Sequence, residues 1–496
     1  MNYIIYIAPV FGAWRKLMDN GSLFKYIGGR QCAILGLGVS NLPLAKVIAK
    51  AGLPLTVYDK AEVSKLGADA QELEKRGVRF VADGSFEDVK GELIFRSPGI
   101  RPDRITADGG AEITSEMELF LHLTLAKTFA ITGSDGKTTS TTLTGLILTE
   151  ECKRTGHGNT FVGGNIGTPL LTQCEEMTAD DNAVLELSSF QLMGIRHTPR
   201  YVAITNVSPN HLDWHVDMDE YVCAKKNIIG ENTERLVTNA DCECTLNIAK
   251  EYASRKKLEI ILFSSKKHSF EEIFEGFAEN DNARAIFVDG GCICVSDRNS
   301  KTPLLSVTEI KVPGQHNVEN FMTAMAITYG TVDSSVYLSV ARSFSGVEHR
   351  LELVRELDGV AYYNSSIDSS PTRTAAALSA MTGRSIVLIC GGYDKKIPYA
   401  PLASAIVEHG GVHTVSLTGA TGKLIGEEIE KYRELTGKGK NITLAYNADF
   451  IDAVSFARES AATGDAVLLS PASASFDAFK NFAERGEVFK KTVRAF

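Results

Sequence analysis

A strand, a glycine loop and a helix follow one another near residue 130, and this motif constrains the fold most strongly. The apolar run 128–131 predicts a buried strand, and 140–148 predicts a helix. Glycines let backbone N–H groups turn towards an anion, and the helix presents its N-terminus to that anion. Lys137 is placed to touch the β- and γ-phosphates, and the Thr138 hydroxyl to ligate Mg²⁺. The loop is shorter than the full Walker pattern, because Ile131 stands where that pattern has its first glycine. The predicted nucleotide-binding residues are Gly133, Ser134, Asp135, Gly136, Lys137, Thr138 and Thr139.

Length and composition exclude several classes of protein. A chain of 496 residues is too long for one core, so we expect about three domains. The net charge of -9 argues against a general nucleic-acid binder. Nine scattered cysteines indicate reduced thiols in a cytoplasmic protein, and the C-x-C pairs lack the spacing of a metal site. The apolar run 3–14 is too short to span a bilayer and lacks signal-peptide features, so we expect a short packing helix or an extension there, and no membrane partner.

A β-α-β pattern precedes the phosphate loop. A strand at 31–35 leads into glycines at 36 and 38, a helix at 42–51 follows, and a second strand ends in Asp59. An acid about twenty residues past the glycines suits the phosphate and ribose of a nucleotide. Asn41 stands where a dinucleotide fingerprint would have its third glycine, so NAD binding remains only an alternative.

Polar residues follow the predicted strands of the second unit. Glu186 ends an apolar strand beside the phosphate loop, which makes it a natural Mg²⁺ ligand. The strand 201–207 leads to His211, which is a ligand or a structural histidine on this pattern alone. Asn317 and Asn320 lie one turn apart at the start of a predicted helix. From about Gly346, strands at 385–390, 414–417 and 466–469 end in small or polar residues, which predicts an open parallel sheet with a site along one edge.

Six segments together resemble the Mur ligases of peptidoglycan synthesis. They are TGSDGKTT, LELSSFQL (185–192), NVSPNHLDWH (206–215), GQHNVEN, GVEHR (346–350) and SPASASFDAFKNFAERG (470–486). The resemblance runs from about Gln31 to the C-terminus. The phosphate loop and the HN-x-x-N motif are shared with folylpolyglutamate synthases, whereas ELSSFQ and the C-terminal segment are particular to the members that add D-glutamate.

The resemblance implies a three-domain α/β fold and an ATP- and Mg²⁺-dependent reaction. The expected domains are a Rossmann-like UDP-substrate domain at 1–112 with an extension at 1–30, a central P-loop ATPase-like domain with a parallel sheet at 113–346, and a Rossmann-like amino-acid domain at 347–496. The implied partners are UDP-MurNAc-L-Ala, D-glutamate and ATP, and the expected assembly is a monomer. The alternatives are another amino-acid-adding Mur ligase, a folylpolyglutamate synthase, and a P-loop ATPase or GTPase that drives a partner. The third domain and the absence of an evident Asn-Lys-x-Asp disfavour the last of these.

The resemblance also implies roles for individual residues. The implied catalytic residues are Lys137, Glu186, His211, Lys225 and Arg350. Arg350 matches an interdomain arginine near the phosphates. Metal ligands are Thr138, Glu186, His211 and Lys225, the last carbamylated by CO₂. Asn317 and Asn320 match the residues that contact adenine in the family. The UDP-substrate pocket matches Gly38, Val39, Ser40, Asp59, Ser97 and Gly99, with Asn165 near the sugar and diphosphate. The amino-acid pocket matches Ser369, Lys395, Ser475, Phe476 and Phe482.

The match raises a question at Lys225 and departs from the family pattern at residues 364–370. Carbamylation needs a neutral amine, which nearby cations favour by lowering the pKa of the lysine, and Lys226 lies directly beside Lys225. Where the family often has Asn-Asp-Ser-Lys-Ala-Thr-Asn, residues 364–370 read NSSIDSS. The family's Asp and Lys are therefore Ser365 and Ile367, while Ser369 retains a hydroxyl in place of the Thr.

Overall fold

The computed structural model describes residues 21–209, 211, 214–255, 257–277, 280, 282–394 and 397–496. The apolar segment 3–14 lies outside these residues. Within them, no helix has the length and apolar character needed to cross a bilayer.

The first sheet has five parallel strands in the order β3-β2-β1-β4-β5. Its strands are β1 Cys32–Leu35, β2 Leu55–Asp59, β3 Arg79–Ala82, β4 Leu93–Arg96 and β5 Glu112–Thr114, and its helices are α1 Ser22–Ile27, α2 Asn41–Lys50 and α3 Ala68–Lys75. Strands β1 and β4 are buried along their whole length, as continuous apolar strands of parallel sheets are. The predicted β-α-β unit is confirmed.

Helix α1 ties the start of the described chain to later segments. Leu23 and Ile27 are fully buried. The Ser22 hydroxyl donates to Glu175 (2.6 Å), which lies in a 3₁₀ turn at Leu171–Glu176. Arg30 donates to Glu112 at 2.7 Å. Two residues of the predicted extension 1–30, Leu23 and Ile27, therefore belong to the core.

The second sheet has nine strands in the order β14-β13-β12-β11-β10-β9-β6-β8-β7. Its strands are β6 Lys127–Thr132, β7 Thr160–Gly164, β8 Asn182–Glu186, β9 Tyr201–Ile204, β10 Arg235–Asn239, β11 Glu259–Ser264, β12 Ala283–Asp289, β13 Cys292–Ser296 and β14 Lys301–Ser306. Its helices are α4 Glu116–Leu123, α5 Lys137–Thr155, α6 Ser189–Leu192, α7 Met218–Lys226, α8 Glu243–Tyr252, α9 Phe270–Ile273, α10 Gln315–Thr328 and α11 Ser335–Ser343. Strand β6 lies between β8 and β9, all three parallel, so the loops that follow them meet at one edge. Strands β12 and β13 pair as an antiparallel hairpin.

The third sheet has six strands in the order β15-β16-β20-β17-β18-β19, with only β15 antiparallel. Its strands are β15 Glu352–Leu357, β16 Val360–Asn364, β17 Ile386–Gly391, β18 Val412–Thr418, β19 Thr443–Tyr446 and β20 Ala466–Leu469. Its helices are α12 Pro371–Ala380, α13 Ala400–Glu408, α14 Gly419–Thr436, α15 Phe450–Ser460 and α16 Phe482–Ala495. The open parallel sheet predicted for this region is confirmed.

The chain divides into two compact units. One contains the first two sheets and runs to Val307, with Glu319–Val340; the other contains the third sheet and comprises Thr308–Val318 and Ala341–Phe496. The α/β class with three parallel-sheet regions is confirmed. The domain limits 1–112, 113–346 and 347–496 stay predictions.

Candidate active site

The phosphate loop joins β6 to α5 in a conformation that glycine alone permits at two positions. Gly133 has a φ of 147° and Gly136 a φ of 77°. A Cβ at Gly133 would overlap the Thr205 hydroxyl, and one at Gly136 would lie 2.6 Å from the Asn320 Oδ1. The loop therefore needs glycine for its backbone angles and for the close approach of its neighbours.

Residues at the end of β9 hold the loop in place. The Ser134 N–H donates to the Asn206 carbonyl and the Asp135 N–H to the Asn206 Oδ1, both at 2.9 Å. The Thr205 hydroxyl donates to the Asp135 carbonyl at 2.6 Å. Sequence reasoning placed Asn206 at this strand end but missed Thr205 as a support for the loop. The sequence signal that could have identified Thr205 is the pair of polar residues, Thr205 and Asn206, directly after a buried strand.

Lys137 lies in the first turn of α5 and bends back over the loop. Its Nζ donates to the Gly133 carbonyl at 2.9 Å and to the Ser134 carbonyl at 2.8 Å. Thr138 follows in the same turn, with a partly buried side chain. A cation and a helix N-terminus thus lie together at this loop, which is an arrangement that binds phosphate.

Glu186 ends β8 beside the loop and is buried. Its Oε1 accepts a 2.8 Å hydrogen bond from the Asn165 side chain, while its Oε2 is buried and has no hydrogen-bond partner among the described residues. An unsatisfied buried carboxylate oxygen is costly, and a bound cation would remove that cost. The Glu186 carboxylate and the Thr138 hydroxyl are hard oxygen donors, so these residues fit Mg²⁺.

The two histidines after β9 differ in their surroundings. His211 is exposed, has a φ of 56°, and meets the Phe190 ring edge-on at 4.9 Å. The side chain of His215 is buried, with Nε2 at 2.9 Å from the Ser189 hydroxyl and Nδ1 at 3.0 Å from Glu220. Burial lowers the pKa of His215. His211 lies exposed on its loop, whereas His215 is a structural histidine held by two polar partners.

Lys225 and Lys226 point in different directions from helix α7. Lys225 is 1% exposed, and its Nζ donates to the Gly133 carbonyl at 2.7 Å. Burial, and after it the charge of Lys137, lowers the pKa of the Lys225 amine from 10.5 to about 7. Lys226 forms an ion pair with Glu251 at 2.6 Å, which raises its pKa. The family match selects Lys225 and not Lys226. Lys225 is therefore the buried lysine of the pair, and it contacts the phosphate loop.

The aromatic ring of Tyr221 completes this side of the loop. The Lys225 amine lies 4.5 Å from the centre of that ring. The Tyr221 hydroxyl is 3.0 Å from the Ser134 hydroxyl, which also donates to the Ser208 carbonyl. Sequence reasoning did not select Tyr221, whose spacing of four residues from Lys225 on one helix face was the available signal.

The candidate UDP-substrate loops meet where β1 lies between β2 and β4, which is the point of the sheet where strand order reverses. A Cβ at Gly36 would lie 3.1 Å from the Ser97 Cβ, and one at Gly38 would lie 3.9 Å from the Ser97 hydroxyl. Both oxygens of Asp59 accept backbone N–H groups, from Leu37 at 2.8 Å and from Ala61 at 3.0 Å. Asp59 therefore shapes the loop directly. Val39 is 79% exposed on the loop surface, and Ser40 precedes α2.

A polar junction connects this loop region to α7. The Trp214 indole N–H donates to the Gly99 carbonyl at 3.1 Å. The Arg101 guanidinium donates to the Trp214 carbonyl at 2.9 Å and to the two Glu220 carboxylate oxygens at 2.8 and 3.0 Å. The Arg101 contact is the main cause that lowers the pKa of Glu220 to about 2. A bidentate pair of this kind fixes orientation as well as distance.

The two asparagines predicted on one helix both lie on α10 and are buried. The Asn320 Oδ1 accepts from the Ser140 hydroxyl at 3.2 Å, which puts Asn320 beside the phosphate loop. The Asn317 amide donates to the Pro313 carbonyl at 2.6 Å.

In the third-sheet unit, strained backbone flanks Arg350. His349 and Leu351 have φ values of 62° and 43°, which are costly for residues other than glycine. The His349 N–H donates to Glu352 at 2.9 Å, and the Leu351 N–H donates to the Ser365 hydroxyl at 3.1 Å. Ser365, which stands in place of the family's aspartate, therefore supports the backbone that carries Arg350.

The remaining residues of the NSSIDSS segment lie next to the loop after β20. Asp368 is buried and accepts from the Ser470 hydroxyl at 2.8 Å. Burial raises the pKa of Asp368 to about 6. The side chains of Ile367 and Ser369 are partly buried.

The candidate amino-acid pocket includes both buried and exposed residues. Ser475 is buried, whereas Phe476 and Phe482 are 64% and 39% exposed. The Phe482 carbonyl accepts from the Ser366 hydroxyl at 2.7 Å. Lys395 lies outside the described residues.

Comparisons with known proteins identify relatives of this chain. Residues 131–328 match the Mur ligase middle domain. The fold resembles UDP-N-acetylmuramate-alanine ligase from Thermotoga maritima, with a TM-score of 0.53, 17% identity, and coverage of 94% of this chain and 99% of that one. It also resembles a folylpolyglutamate synthase from Thermotoga maritima, with a TM-score of 0.53, 13% identity, and coverage of 77% and 93%. The fold is one that Mur ligases share with folylpolyglutamate synthases.

Sequence relatives narrow the family further. A UDP-N-acetylmuramoylalanine--D-glutamate ligase from Acetivibrio thermocellus is 42% identical over 479 residues, which cover 95% of this chain and 97% of the relative. The ligase of that name from Clostridium tetani is also 42% identical, over 96% of this chain and 99% of its own length. The chain belongs to the UDP-N-acetylmuramoylalanine--D-glutamate ligase family.

Proposed function

We propose that this chain is an ATP-dependent ligase that joins D-glutamate to UDP-MurNAc-L-Ala in peptidoglycan synthesis. The observation that carries the proposal is 42% identity, over 95% of the chain, to a ligase of that name. The phosphate loop, its lysine and the buried glutamate beside it supply the groups that such chemistry needs.

The reaction has two steps. The alanyl carboxylate attacks the γ-phosphorus of ATP, so that ADP leaves and an acyl phosphate forms. The D-glutamate amine then attacks the acyl carbon, phosphate leaves, and the amine loses a proton as the amide forms. Phosphoryl transfer depends on positioning and charge neutralisation more than on covalent help from the protein.

The residues around the loop are suited to those tasks. The N-terminus of α5 and Lys137 bind and orient the phosphates, while Thr205 and Asn206 keep the loop in shape. Glu186 and Thr138 would hold Mg²⁺, which neutralises phosphate charge when bound. We assign the adenine contacts to Asn317 and Asn320, and charge stabilisation during transfer to Arg350.

Lys225 is proposed to be carbamylated. Its amine, with a pKa of about 7, is largely neutral at mildly alkaline pH and can add to CO₂ with release of a proton. The product is an anion that, with His211, would serve as a further metal ligand. The cation beside it is Lys137, whose charge already contributes to the low pKa.

The substrate contacts carry over from the family match. The proposed UDP-substrate contacts are Gly38, Val39, Ser40, Asp59, Ser97, Gly99 and Asn165, and the proposed D-glutamate contacts are Ser369, Lys395, Ser475, Phe476 and Phe482. We also infer a cytoplasmic monomer that acts on soluble small molecules. The cysteines, all free and many of them buried, suit a reducing compartment.

The test is phosphate release from ATP with UDP-MurNAc-L-Ala as acceptor and one amino acid added at a time. D-glutamate should support release, whereas L-glutamate, D-alanine, L-lysine and glycine should not. Phosphate release with a different amino acid would show that the enzyme adds that amino acid and not D-glutamate. ATP hydrolysis without any amino acid would favour an ATPase.

A further inference from the structure

A second cluster of titratable side chains lies at the other edge of the second sheet from the phosphate loop. Strands β6 and β9 are parallel, and the phosphate loop and its supports follow their C-terminal ends. His122, near the end of α4, precedes β6, and His197 precedes β9. Both histidines are therefore at the N-terminal edge of this sheet, where they line a cavity of about 170 Å³.

The two imidazole rings are aligned nitrogen to nitrogen. The His122 Nδ1 lies 2.8 Å from the His197 Nε2, and the other His197 nitrogen, Nδ1, lies 2.7 Å from the Glu118 Oε1. Glu118 is buried, and it also accepts the N–H groups of Arg196 at 2.9 Å and of His197 at 3.3 Å. A fixed carboxylate thus sets the orientation of the His197 ring.

This chain of contacts determines where the protons lie. A carboxylate accepts only, so a neutral His197 carries its proton on Nδ1 and donates it to Glu118. The His197 Nε2 then has a free lone pair, and the proton between the rings belongs to the His122 Nδ1. Two nitrogen lone-pair directions converge on one position that holds a single proton.

We propose that His122 and His197 bind a divalent late first-row transition metal ion, of the class of Ni²⁺ and Zn²⁺. The ion takes the place of the proton on the His122 Nδ1, and that proton moves by way of solvent to the His122 Nε2, so that both rings stay neutral and both facing nitrogens become ligands. Imidazole nitrogen suits these ions, whereas Mg²⁺ and Ca²⁺ prefer oxygen. Glu118 then occupies the position of a carboxylate that orients a metal-bound histidine through its other nitrogen.

The geometry needs only a small adjustment. Metal–nitrogen bonds of about 2.1 Å at a tetrahedral angle separate two ligand nitrogens by about 3.4 Å, against 2.8 Å here. Both rings can move apart, because the His122 side chain is exposed and that of His197 is 41% exposed. The cavity beside the rings leaves room for water at the remaining coordination positions.

The surrounding charges are compatible with a divalent ion. Glu112, on the cavity wall, is paired with Arg30 and accepts from the Tyr26 hydroxyl. The Tyr26 ring meets the His122 ring edge-on at 5.4 Å. Arg196 is 63% exposed, and its guanidinium lies 3.7 Å from the Glu118 carboxylate and donates to the Ile113 carbonyl at 3.3 Å. The bound ion would cross-link α4 to the segment before β9, next to helix α1, and would stabilise the folded state by mass action.

The test is calorimetric titration of the full chain with Ni²⁺ in the presence of saturating Mg²⁺, which covers the oxygen-ligand site. The wild type should bind one more Ni²⁺ than the variant His122→Ala/His197→Ala. The matched control His157→Ala, which removes an exposed histidine elsewhere, should bind as the wild type does. Glu118→Gln should weaken this site by about 10-fold or more. Equal stoichiometry in the wild type and the double variant would overturn the proposal.

A second measurement on the unmodified protein guards against misfolding of the variants. In ¹⁵N-histidine NMR spectra, addition of Zn²⁺ should shift the His122 Nδ1 and the His197 Nε2 together, and the His122 Nε2 should take on the shift of a protonated nitrogen. Shifts confined to other histidines would contradict the assignment. Neither readout depends on ligase activity, so the outcome is independent of the proposed reaction.

Discussion

The adjacent lysines of helix α7 allow a matched pair of substitutions. Lys225→Arg keeps a positive charge at the buried position but cannot carry a carbamate, and Lys226→Arg makes the same change at the surface ion pair with Glu251. If the reaction uses carbamylated Lys225, the first variant is inactive and the second behaves as the wild type. If Lys225 were an ordinary lysine, both variants would be active.

The size of the expected effect follows from the pKa of Lys225. With a pKa of about 7, about nine-tenths of the amine is neutral at pH 8, whereas a lysine at the ordinary 10.5 is about 0.3% neutral. The neutral, CO₂-reactive fraction is thus about 300-fold larger at Lys225. Removal of one group that stabilises the transition state typically costs about 10²–10³ in rate, so Lys225→Arg, which removes the carbamate, should lose at least that factor. Exposed ion pairs contribute little, so Lys226→Arg should stay within about twofold of the wild type.

The assay is phosphate release with UDP-MurNAc-L-Ala and D-glutamate, together with ¹³C NMR of protein equilibrated with ¹³C-bicarbonate. The wild type and Lys226→Arg should show a carbamate resonance that Lys225→Arg lacks. Lys225→Ala should recover part of its activity when a small free carboxylic acid is added. Full activity in Lys225→Arg, or a loss only in Lys226→Arg, would refute the reasoning.

Three further predictions test the loop and the core. Lys137→Ala should lower phosphate release by about 10²-fold or more with an unchanged melting temperature, and near-normal turnover would remove the phosphate-loop assignment. Gly133→Ala should cost about 3 kcal/mol of stability, because its Cβ would overlap the Thr205 hydroxyl. Gly156→Ala, where a Cβ meets nothing within 4 Å, should cost less in the same thermal melts, and equal losses would contradict the overlap argument. Burial raises the pKa of Glu116 from 4.5 to about 7, so the folded state holds this proton more tightly and stability falls as pH rises through that window. The loss is about 3 kcal/mol above pH 7, and Glu116→Gln should remove it; parallel melting curves for both proteins from pH 5 to pH 8 would show that Glu116 does not titrate in this way.

Local patterns in the sequence predicted the elements that carry the phosphate loop, because glycine, lysine and threonine spacing is itself local. The predicted ends of helices and strands were less accurate. Helix α5 was predicted to end at 148 but continues to Thr155, where Gly156 caps it with a φ of 73°. The apolar signal ends before the helix does, because its last two turns are polar. Strand β9 was predicted to reach 207 but ends at Ile204, because Thr205 and Asn206 turn to the phosphate loop.

Tertiary contacts decided what the sequence could not. The side chain of Lys225 turns towards Gly133, a residue 92 positions earlier in the chain, while that of Lys226 turns outwards. Helical spacing alone does not say which of two adjacent lysines is buried. In the same way, the replacement of the family's aspartate by Ser365 has a visible role only once its contact with Leu351 is known.

The junction around Trp214 has a spectroscopic consequence. The chain contains two tryptophans, Trp14 and Trp214, so a Trp14→Phe variant has a single indole. That indole donates to the Gly99 carbonyl and lies 5.1 Å from the Arg101 guanidinium. Its emission depends on the hydrogen bond and on the nearby charge. We therefore expect a ligand that moves the Ser97–Gly99 loop to change the fluorescence, which would give a label-free binding signal for the sugar nucleotide without any turnover of ATP.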